Sequence, residues 1–550
     1  MKVLKTAPFT SGLAGLRENF KSDALSGFLV FLIALPLCLG ISLASGFPPV
    51  AGILTAIIGG MVVSFLGGSE LTIKGPAAGL IVIALGAVEE LGQGDSLLGY
   101  KLALATIVVA GVIQILFGLL RSGVLGDFFP VAAVSGMMTS IGIIIISKQV
   151  FTLMGVKPAG KEPLELLVEI PQGIANLNPQ IAIIGVTSLL ILFILPLLKN
   201  KYLKRVPAPL LVILISIPLG HLFGLAHSHT YLFLDKHNYS VGPEFLVTLP
   251  KDLLSAITFP DFSQVFSGTS IKYIIMFAVV GSLESILSTK AVDTLDPYKR
   301  KANLNRDMVG VGIGNTLAGL IGGLPMISEI VRSSANVNNG GKTRWANFFH
   351  GVFLLGFVAL APGLIHQIPL AALAAMLIYT GFRLASPTTF IQTFHKGWEQ
   401  LVIFLITIIF TLSTDLLVGI GAGIAAELLI LMIKGLPVKS IFKPGIKLQQ
   451  HEDNDYIHIA LSDGAVFSNY IKLRKYLDSL PRQKHLVLDF SETIVVDHTV
   501  MRHLHQYREE YMAQGGWLEM TGLHAHKPVS KHPLAARVRA QKKKQVKVAA

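Results

Sequence analysis

Charge is scarce in this sequence: Asp, Glu, Lys and Arg make up 14% of its 550 residues, against 52% hydrophobic. Soluble domains carry about 25% charge, so this composition, with a mean hydropathy of +0.62, excludes a purely water-soluble enzyme. Residues 28–44 and 401–412 contain no charged side chain at all. Cysteine is nearly absent as well. The single Cys38 excludes an intramolecular disulfide and any cysteine-based metal cluster, and its place in an apolar run makes packing its expected role. A GxxxxGK[ST] phosphate loop, an HExxH metal motif and a nucleophile elbow are also missing. Primary ATP-driven pumping by this chain alone is thereby excluded, and no enzymatic role is expected.

What the chain has is apolar length. A helix needs about 20 residues to cross hydrocarbon, and the sequence predicts spans at 23–45, 50–66, 101–120, 127–148, 179–198, 207–226, 270–290, 306–321, 345–361, 368–382, 399–414 and 416–433. Two pieces too short to span alone follow Gly75-Pro76 (77–91) and Pro325 (328–337), which gives about fourteen membrane elements. The excess of 46 Lys+Arg over 33 Asp+Glu would suggest a nucleic-acid partner in a soluble chain. Here the basic residues cluster at the ends of apolar segments, as membrane topology requires, and no nucleic-acid partner is expected. Lys2, Lys5, Arg17 and Lys21 precede the first span, with no small-residue cleavage site, so the N-terminal segment 1–22 is read as retained and cytoplasmic. Inner loops then hold Lys199, Lys201, Lys204 and Arg205; Lys299, Arg300, Lys301 and Arg306; Lys342 and Arg344. The outer segments 157–169 and 235–261 mix both signs. This places both chain ends inside a bacterial-type plasma membrane.

The two short elements occupy similar places in the two halves of the membrane region, 23–434, and each follows a span ending in a double glycine. The first is preceded by Gly67-Gly68-Ser69-Glu70-Leu71-Thr72-Ile73-Lys74-Gly75-Pro76, the second by Gly322-Gly323-Leu324-Pro325-Met326-Ile327-Ser328-Glu329. Interrupted segments in corresponding positions of two halves point to a transporter binding site built from inverted repeats. Non-helical backbone at membrane depth is tolerated only where protein buries it or a cavity hydrates it.

After residue 434 the composition changes. Residues 456–461 and 485–490 read as strands, and 469–480 and 499–514 as helices, which predicts a small cytoplasmic α/β domain over 435–526. The basic stretch 527–550, with Lys542-Lys543-Lys544, is expected to be a disordered, solvated tail. His498, His503 and His505 fall on differing helix faces and are read as packed or solvated, not as metal ligands.

Ionisable groups inside membrane helices are functional candidates by default, because burying them is costly. Arg332 lies one turn into the second short element, where a helix N-terminus already favours an anion; the alternative is an arginine paired only with Glu329. Glu284, with Ser288 one turn later, can hold Na⁺ or take up a proton; the alternative is a structural partner for Arg332 or a helix end. Glu427, near the end of the last span, is expected to pair locally or snorkel.

At this point the chain resembles the SulP family of inorganic anion transporters, related to the solute carrier 26 group. The matching residues are Leu35-Pro36 with Ser45-Gly46-Phe47-Pro48-Pro49, Gly75-Pro76, Gly314-Asn315 with Gly319, Gly322-Gly323-Leu324-Pro325, Arg332-Ser333 and Gly340-Gly341-Lys342-Thr343. The carboxyl domain resembles a STAS domain through Asp489-Phe490-Ser491 and Val495-Val496-Asp497. The resemblance implies a 7+7 inverted repeat with core and gate domains, an elevator mechanism, a homodimer, and secondary transport of bicarbonate or sulfate coupled to Na⁺ or H⁺. C4-dicarboxylate symport, anion exchange and an uncoupled anion channel are the alternatives. Carried across, the pocket is lined by Cys38, Ile41, Ser42, Gly75, Pro76, Ala77, Ala78, Glu329, Ile330, Val331 and Arg332. Coupling falls to Glu284, Ser288, Ser328 and Glu329, with Na⁺ at Glu284 and Ser288; no other cofactor is implied. The chain departs from the family in carrying Leu37, Ala77 and Glu329-Ile330-Val331, where relatives often have glutamine, phenylalanine and Ser-x-Ser. Cyanobacterial bicarbonate transporters of the family lack an acid matching Glu329, so Glu284 and Glu329 are expected to share a proton. In the STAS-like domain, Asp497-His498-Thr499 replaces a phosphorylated Asp-Ser-Ser, which favours a structural role there.

Overall fold

The structure, a computed structural model, describes residues 12–198, 206–233, 237–248, 254–449, 456–481 and 483–539. The expected inner loop at 199–205 and the lysines at 2, 5 and 542–544 lie outside the described residues. Among those described, seven helices are long and apolar enough to cross a membrane: Gly12–Ala44, Ser96–Leu119, Val131–Met154, Pro179–Leu197, Gly268–Leu295, Leu370–Lys396 and Leu416–Ile433. Shorter apolar helices lie at Val50–Leu66, Ala208–Leu222, Trp345–Leu360 and Trp398–Ser413. The helices that build the membrane region are α1 at Gly12–Ala44, α2 at Val50–Ile58, α3 at Ile81–Gly92, α4 at Ser96–Leu119, α5 at Val131–Met154, α6 at Pro179–Ile194 and α7 at Ala208–Leu222. Next come α8 at Gly268–Leu295, α9 at Leu304–Leu320, α10 at Ile330–Asn338, α11 at Trp345–Leu360, α12 at Leu370–Leu384, α13 at Trp398–Ser413 and α14 at Leu416–Ile433.

The chain divides into two compact units, Met1–Gly123 with Ile141–Leu384 and Val124–Ser140 with Ala385–Ala550. In the first, glycines let helices approach backbone to backbone, as membrane packing favours. A Cβ on Gly312 of α9 would lie 2.7 Å from the Gly111 carbonyl of α4, and one on Gly27 of α1 would lie 2.7 Å from the Ala346 carbonyl of α11. Polar side chains of α1 fasten the loop after α10. Asp23 accepts hydrogen bonds from Lys342 N–H (2.7 Å) and Thr343 N–H (3.2 Å), and Ser26 Oγ donates to Asn336 Oδ1 (2.7 Å).

One predicted span of this membrane region is shifted. The span predicted at 127–148 runs instead over Val131–Met154. A residue before proline avoids helical backbone, so Phe129-Pro130 delays the start, and Gly155, at φ 69°, supplies the left-handed turn that ends it. The outer segment 157–169 is not all loop. Pro163–Ala175 forms a helix, opened by a capping box between Glu162 and Glu165 with Pro163 at its first position. The outer segment at 235–261 carries one strand of a hairpin, β2 (His229–Phe233) with β3 (His237–Val241), paired antiparallel; β1 (Ile73–Pro76) precedes and β4 (Met326–Glu329) follows it in the chain.

The second unit contains a six-stranded sheet. Its strands are β5 (Gly445–Gln449), β6 (Tyr456–Ala465), β7 (His485–Val496), β8 (Trp517–Thr521), β9 (His526–Pro528) and β10 (Arg537–Arg539). β6, β7 and β8 run parallel, joined by helices Phe467–Asp478 and His498–Ala513, and β5 and β10 add antiparallel to β6 and β7. Alternation along β7 sends Leu486, Leu488 and Phe490, all 0% exposed, into the core with Leu473, Leu477 and Leu504. The strands outrun the expected 456–461 and 485–490. The correction at the C-terminus is larger: the tail expected to be disordered from residue 527 pairs Arg537 and Val538 with Val496 and Val495. Buried Ala535 and Ala536 supply apolar anchorage that lysine content conceals.

Candidate functional site

Within the first unit the two short elements meet. β1 and β4 pair antiparallel, Ile73 opposite Glu329, Lys74 opposite Ser328, Gly75 opposite Ile327 and Pro76 opposite Met326, and every residue of both strands is buried. Backbone at membrane depth must find partners in protein. The ladder provides them, assisted by side chains from neighbouring helices. Asn315 of α9 accepts from Met326 N–H (2.5 Å) and donates to the Met326 carbonyl (3.1 Å), and Ser333 Oγ accepts from Ile73 N–H (2.8 Å).

Because the strands are antiparallel, the helices that follow them leave in opposite directions and their N-termini face each other across the ladder. The backbone turns into helix in nearly the same way on both sides: Ala77 has φ −81° and ψ 115°, Glu329 φ −87° and ψ 115°, and neither side chain caps the helix it precedes. Helix starts of this kind present N–H groups and positive dipole ends to an anion. The Glu329 carboxylate lies beside the Ala78 backbone at the head of the other helix.

Around this meeting point stand buried ionisable groups with unpartnered atoms. Arg332 is 1% exposed, and among the described residues none of its three guanidinium nitrogens has an aligned hydrogen-bond partner, while the Glu329 carboxylate stands near enough to feel its charge. Gly75 makes its room, since a Cβ there would overlap Arg332 Nη1. Glu284, 2% exposed, has both carboxylate oxygens unpartnered, as is Oε1 of Glu329. A Cβ on Gly79 would overlap the Glu284 carboxylate, so Glu284 of α8 faces the head of α3. Buried polar groups in proteins are nearly always hydrogen-bonded; Arg332, Glu284 and Glu329 are exceptions gathered at one crossing.

The remaining predicted site residues divide. Cys38 is fully buried with its thiol beside Arg332. Ser42 is committed elsewhere: its hydroxyl donates to the Cys38 carbonyl (2.8 Å) and accepts from Gly52 N–H (2.7 Å), tying α1 to α2. Ile41, Pro76 and Ala77 are buried, Ala78 and Val331 half-buried, and Ile330 is 39% exposed. Ser288 is half-buried, whereas Ser285 and Thr289 of the same helix are the hydroxyls that reach Ser328 of β4, at 3.2 and 3.0 Å. Glu427, in the second unit, is 3% exposed and lies beside Gln400, with its Oε2 unpartnered among the described residues.

Sequence reasoning missed a buried ion pair. Lys74 Nζ lies 2.7 and 2.8 Å from the two oxygens of Asp307 on α9 and 2.5 Å from Ser328 Oγ. A lysine between apolar Ile73 and Gly75, and an aspartate inside a predicted span, were the available signals. His350 of α11 was missed too; it is fully buried with both ring nitrogens unpartnered.

These features define a polytopic helical membrane protein whose polar centre lies where two interrupted segments cross. The chain belongs to the sulfate permease family, which it matches over residues 20–409. It is similar to the putative sulfate transporter YvdB of Bacillus subtilis (strain 168), at 28% identity over 74% of this chain and 72% of the relative. It is similar also to the bicarbonate transporter BicA of Synechocystis sp. (strain ATCC 27184 / PCC 6803 / Kazusa), at 28% identity over 74% and 69%. In fold it is like the murine solute carrier 26 family member A9 anion transporter in the inward-facing state, with TM-score 0.66 and 14% identity over 94% of this chain and 90% of that one.

Proposed function

We propose that this protein is a secondary active transporter of small inorganic oxyanions, bicarbonate or sulfate, coupled to Na⁺ or H⁺. The observation that carries the reading is Arg332: a buried guanidinium without an aligned hydrogen-bond partner among the described residues, beside two facing helix starts. An oxyanion set between those starts would satisfy the arginine and the helix dipoles together. Charge supports coupling. Lys74 and Asp307 cancel as an ion pair, which leaves one guanidinium against two carboxylates, Glu284 and Glu329. An incoming anion makes the excess worse, so its entry requires a cation or a proton to come with it. Glu329 makes the proton useful to binding, because it lies beside the head of the other helix and its protonation removes a negative charge from the anion's place.

The interrupted segments and their matching backbone angles support a fourteen-element 7+7 inverted repeat; the same reading includes an elevator movement of a core against a gate, a homodimer, and a bacterial-type plasma membrane with both termini inside. The C-terminal sheet is read as a STAS-like domain with a structural role. Thr499 is 1% exposed and accepts from Val131 N–H at 3.2 Å, and Asp497 accepts from Val500 N–H at 2.7 Å. That leaves the phosphorylation position of the resemblance occupied.

The test is uptake of labelled bicarbonate and sulfate into proteoliposomes under imposed Na⁺ or H⁺ gradients, for wild type and Glu284→Gln. Gradient-driven accumulation lost in the variant supports coupled transport. Anion flux or ionic current indifferent to gradient and variant would overturn it.

A further inference from the structure

The cluster around Lys74 has the composition of a cation site with its cation already attached. Asp307 offers two carboxylate oxygens, and Ser328, Thr289 and Ser285 offer hydroxyls. Thr289 Oγ1 lies 3.1 Å from Asp307 Oδ2 and 3.0 Å from Ser328 Oγ, and Ser328 Oγ lies 3.0 Å from Asp307 Oδ2. A carboxylate with hydroxyls around it is a donor set for a hard cation such as Na⁺. The Lys74 ammonium occupies its focus, with three oxygens within 2.8 Å. Both Lys74 and Asp307 are nearly water-free, at 2% and 3% exposure. Beside them a mainly apolar cavity of about 10 Å³ has Gln114, Ser282, Ser285 and Asp307 as its polar lining, about the space for one water, and the buried Ser282 Oγ is unpartnered among the described residues.

The position of this cation matters. Lys74 and Ser328 are opposite residues of the β1–β4 ladder, so the ion pair ties both interrupted segments to α9, while Thr289 and Ser285 tie β4 to α8. Removing the ammonium leaves Asp307 buried with two hydroxyls and the Gly68 N–H (3.1 Å) but no countercharge, a costly arrangement. We propose that Lys74 is a tethered cation that replaces Na⁺ in assembling the crossing, so that the fold of the crossing does not require Na⁺. The inference rests on the reading of the crossing as the transport site, but its structural part is measurable without transport.

The experiment is thermal unfolding of the purified full-length protein in NaCl and in choline chloride at equal ionic strength and pH. Wild type is expected to melt at the same temperature in both. Lys74→Ala, which opens space and exposes the same oxygens, is expected to melt lower in choline and to regain several degrees in Na⁺, as a ligand that binds only the folded state requires. Lys74→Ala with Asp307→Asn removes both charges and is expected to fold and to be indifferent to Na⁺. Stabilisation of wild type by Na⁺, an Asp307-containing Lys74→Ala protein blind to Na⁺, or a double variant that fails to fold or depends on Na⁺ would each overturn the proposal. Should Lys74→Ala itself not fold, the wild type and the double variant still decide. Proteoliposome uptake separates the two claims: wild type inactive toward every anion overturns the transport reading and leaves the melting comparison intact.

Discussion

Gly79, at the head of one interrupted segment, lies against Glu284 of α8 so closely that any Cβ there would overlap the carboxylate. The glycine is required by proximity: Gly79 sits in the one-turn helix Ala78–Leu80 and is itself buried. Gly79→Ala is therefore expected to displace Glu284, lowering gradient-driven anion uptake at least tenfold while the protein still inserts and purifies. Adding Glu284→Ala should relieve the overlap without restoring coupling. Uptake and melting temperature of the single and double variants check this, and unchanged uptake in Gly79→Ala would show that the carboxylate takes no part.

Arg332 makes a contrasting prediction. Truncating one member of a buried ion pair usually destabilises by several kcal/mol, because the partner is left uncompensated. Arg332 has no aligned hydrogen-bond partner among the described residues, and the charge beside it is Glu329, so Arg332→Ala made together with Glu329→Gln is expected to leave the melting temperature in anion-free buffer unchanged or higher, while abolishing uptake. Bicarbonate or sulfate should stabilise wild type, by about 2.7 kcal/mol at a hundredfold excess over Kd, and should not stabilise the variant. A variant that melts lower in anion-free buffer would make the arginine structural.

Much of this was legible in the sequence because apolar length and glycine–proline interruptions are local signals. The pieces after Gly75-Pro76 and Pro325, and the ionisable Arg332 and Glu284, stood out against hydrocarbon. The Lys74–Asp307 pair did not, since its members lie 233 residues apart and only pairing of β1 with β4 brings them together. Ser288 shares a helical face with Glu284 at one turn's spacing, yet the β4 crossing selects Ser285 and Thr289 instead. In the C-terminal domain, basic composition concealed β9 and β10, whose strand character comes from a neighbouring edge and not from their own hydrophobicity.

Cys38 offers a probe that needs no engineering. It is the one cysteine of the sequence, fully buried, with its thiol beside Arg332. If the crossing opens to water during transport, a small membrane-impermeant thiol reagent will label it slowly, and bicarbonate or sulfate will slow labelling further by holding Arg332. Cys38→Ala should remove the label and retain uptake. Labelling rates in membrane vesicles with and without anion test this, and a rate indifferent to saturating anion would place the thiol outside the substrate's path.

The C-terminal domain carries two neighbouring groups whose pH effects oppose each other. Burial lowers His498 from 6.5 to about 4, partly offset by its hydrogen bond to the Leu534 carbonyl. Burial raises Asp497 from 3.8 to about 6, against backbone hydrogen bonds from Val500 and Phe467. For His498 the unfolded chain binds the extra proton between those values, so its contribution is present above pH 6.5 and is lost as pH falls toward 4. For Asp497 the folded chain binds the extra proton, so its contribution is present below 3.8 and is lost as pH rises through 6. Each shift of one unit is about 1.4 kcal/mol, and in wild type the two slopes nearly cancel across the shared window. Hydrogen exchange of β7 and of helix His498–Ala513 in the full-length protein, corrected for intrinsic rates, is therefore expected to change little between pH 6 and 5. In His498→Asn the Asp497 slope remains alone, and because Asp497 is already half-protonated at pH 6, protection should rise about fivefold over that unit of acidification. In Asp497→Asn it should fall by a similar factor. Parallel responses in the two variants would mean that these groups do not set the domain's pH dependence.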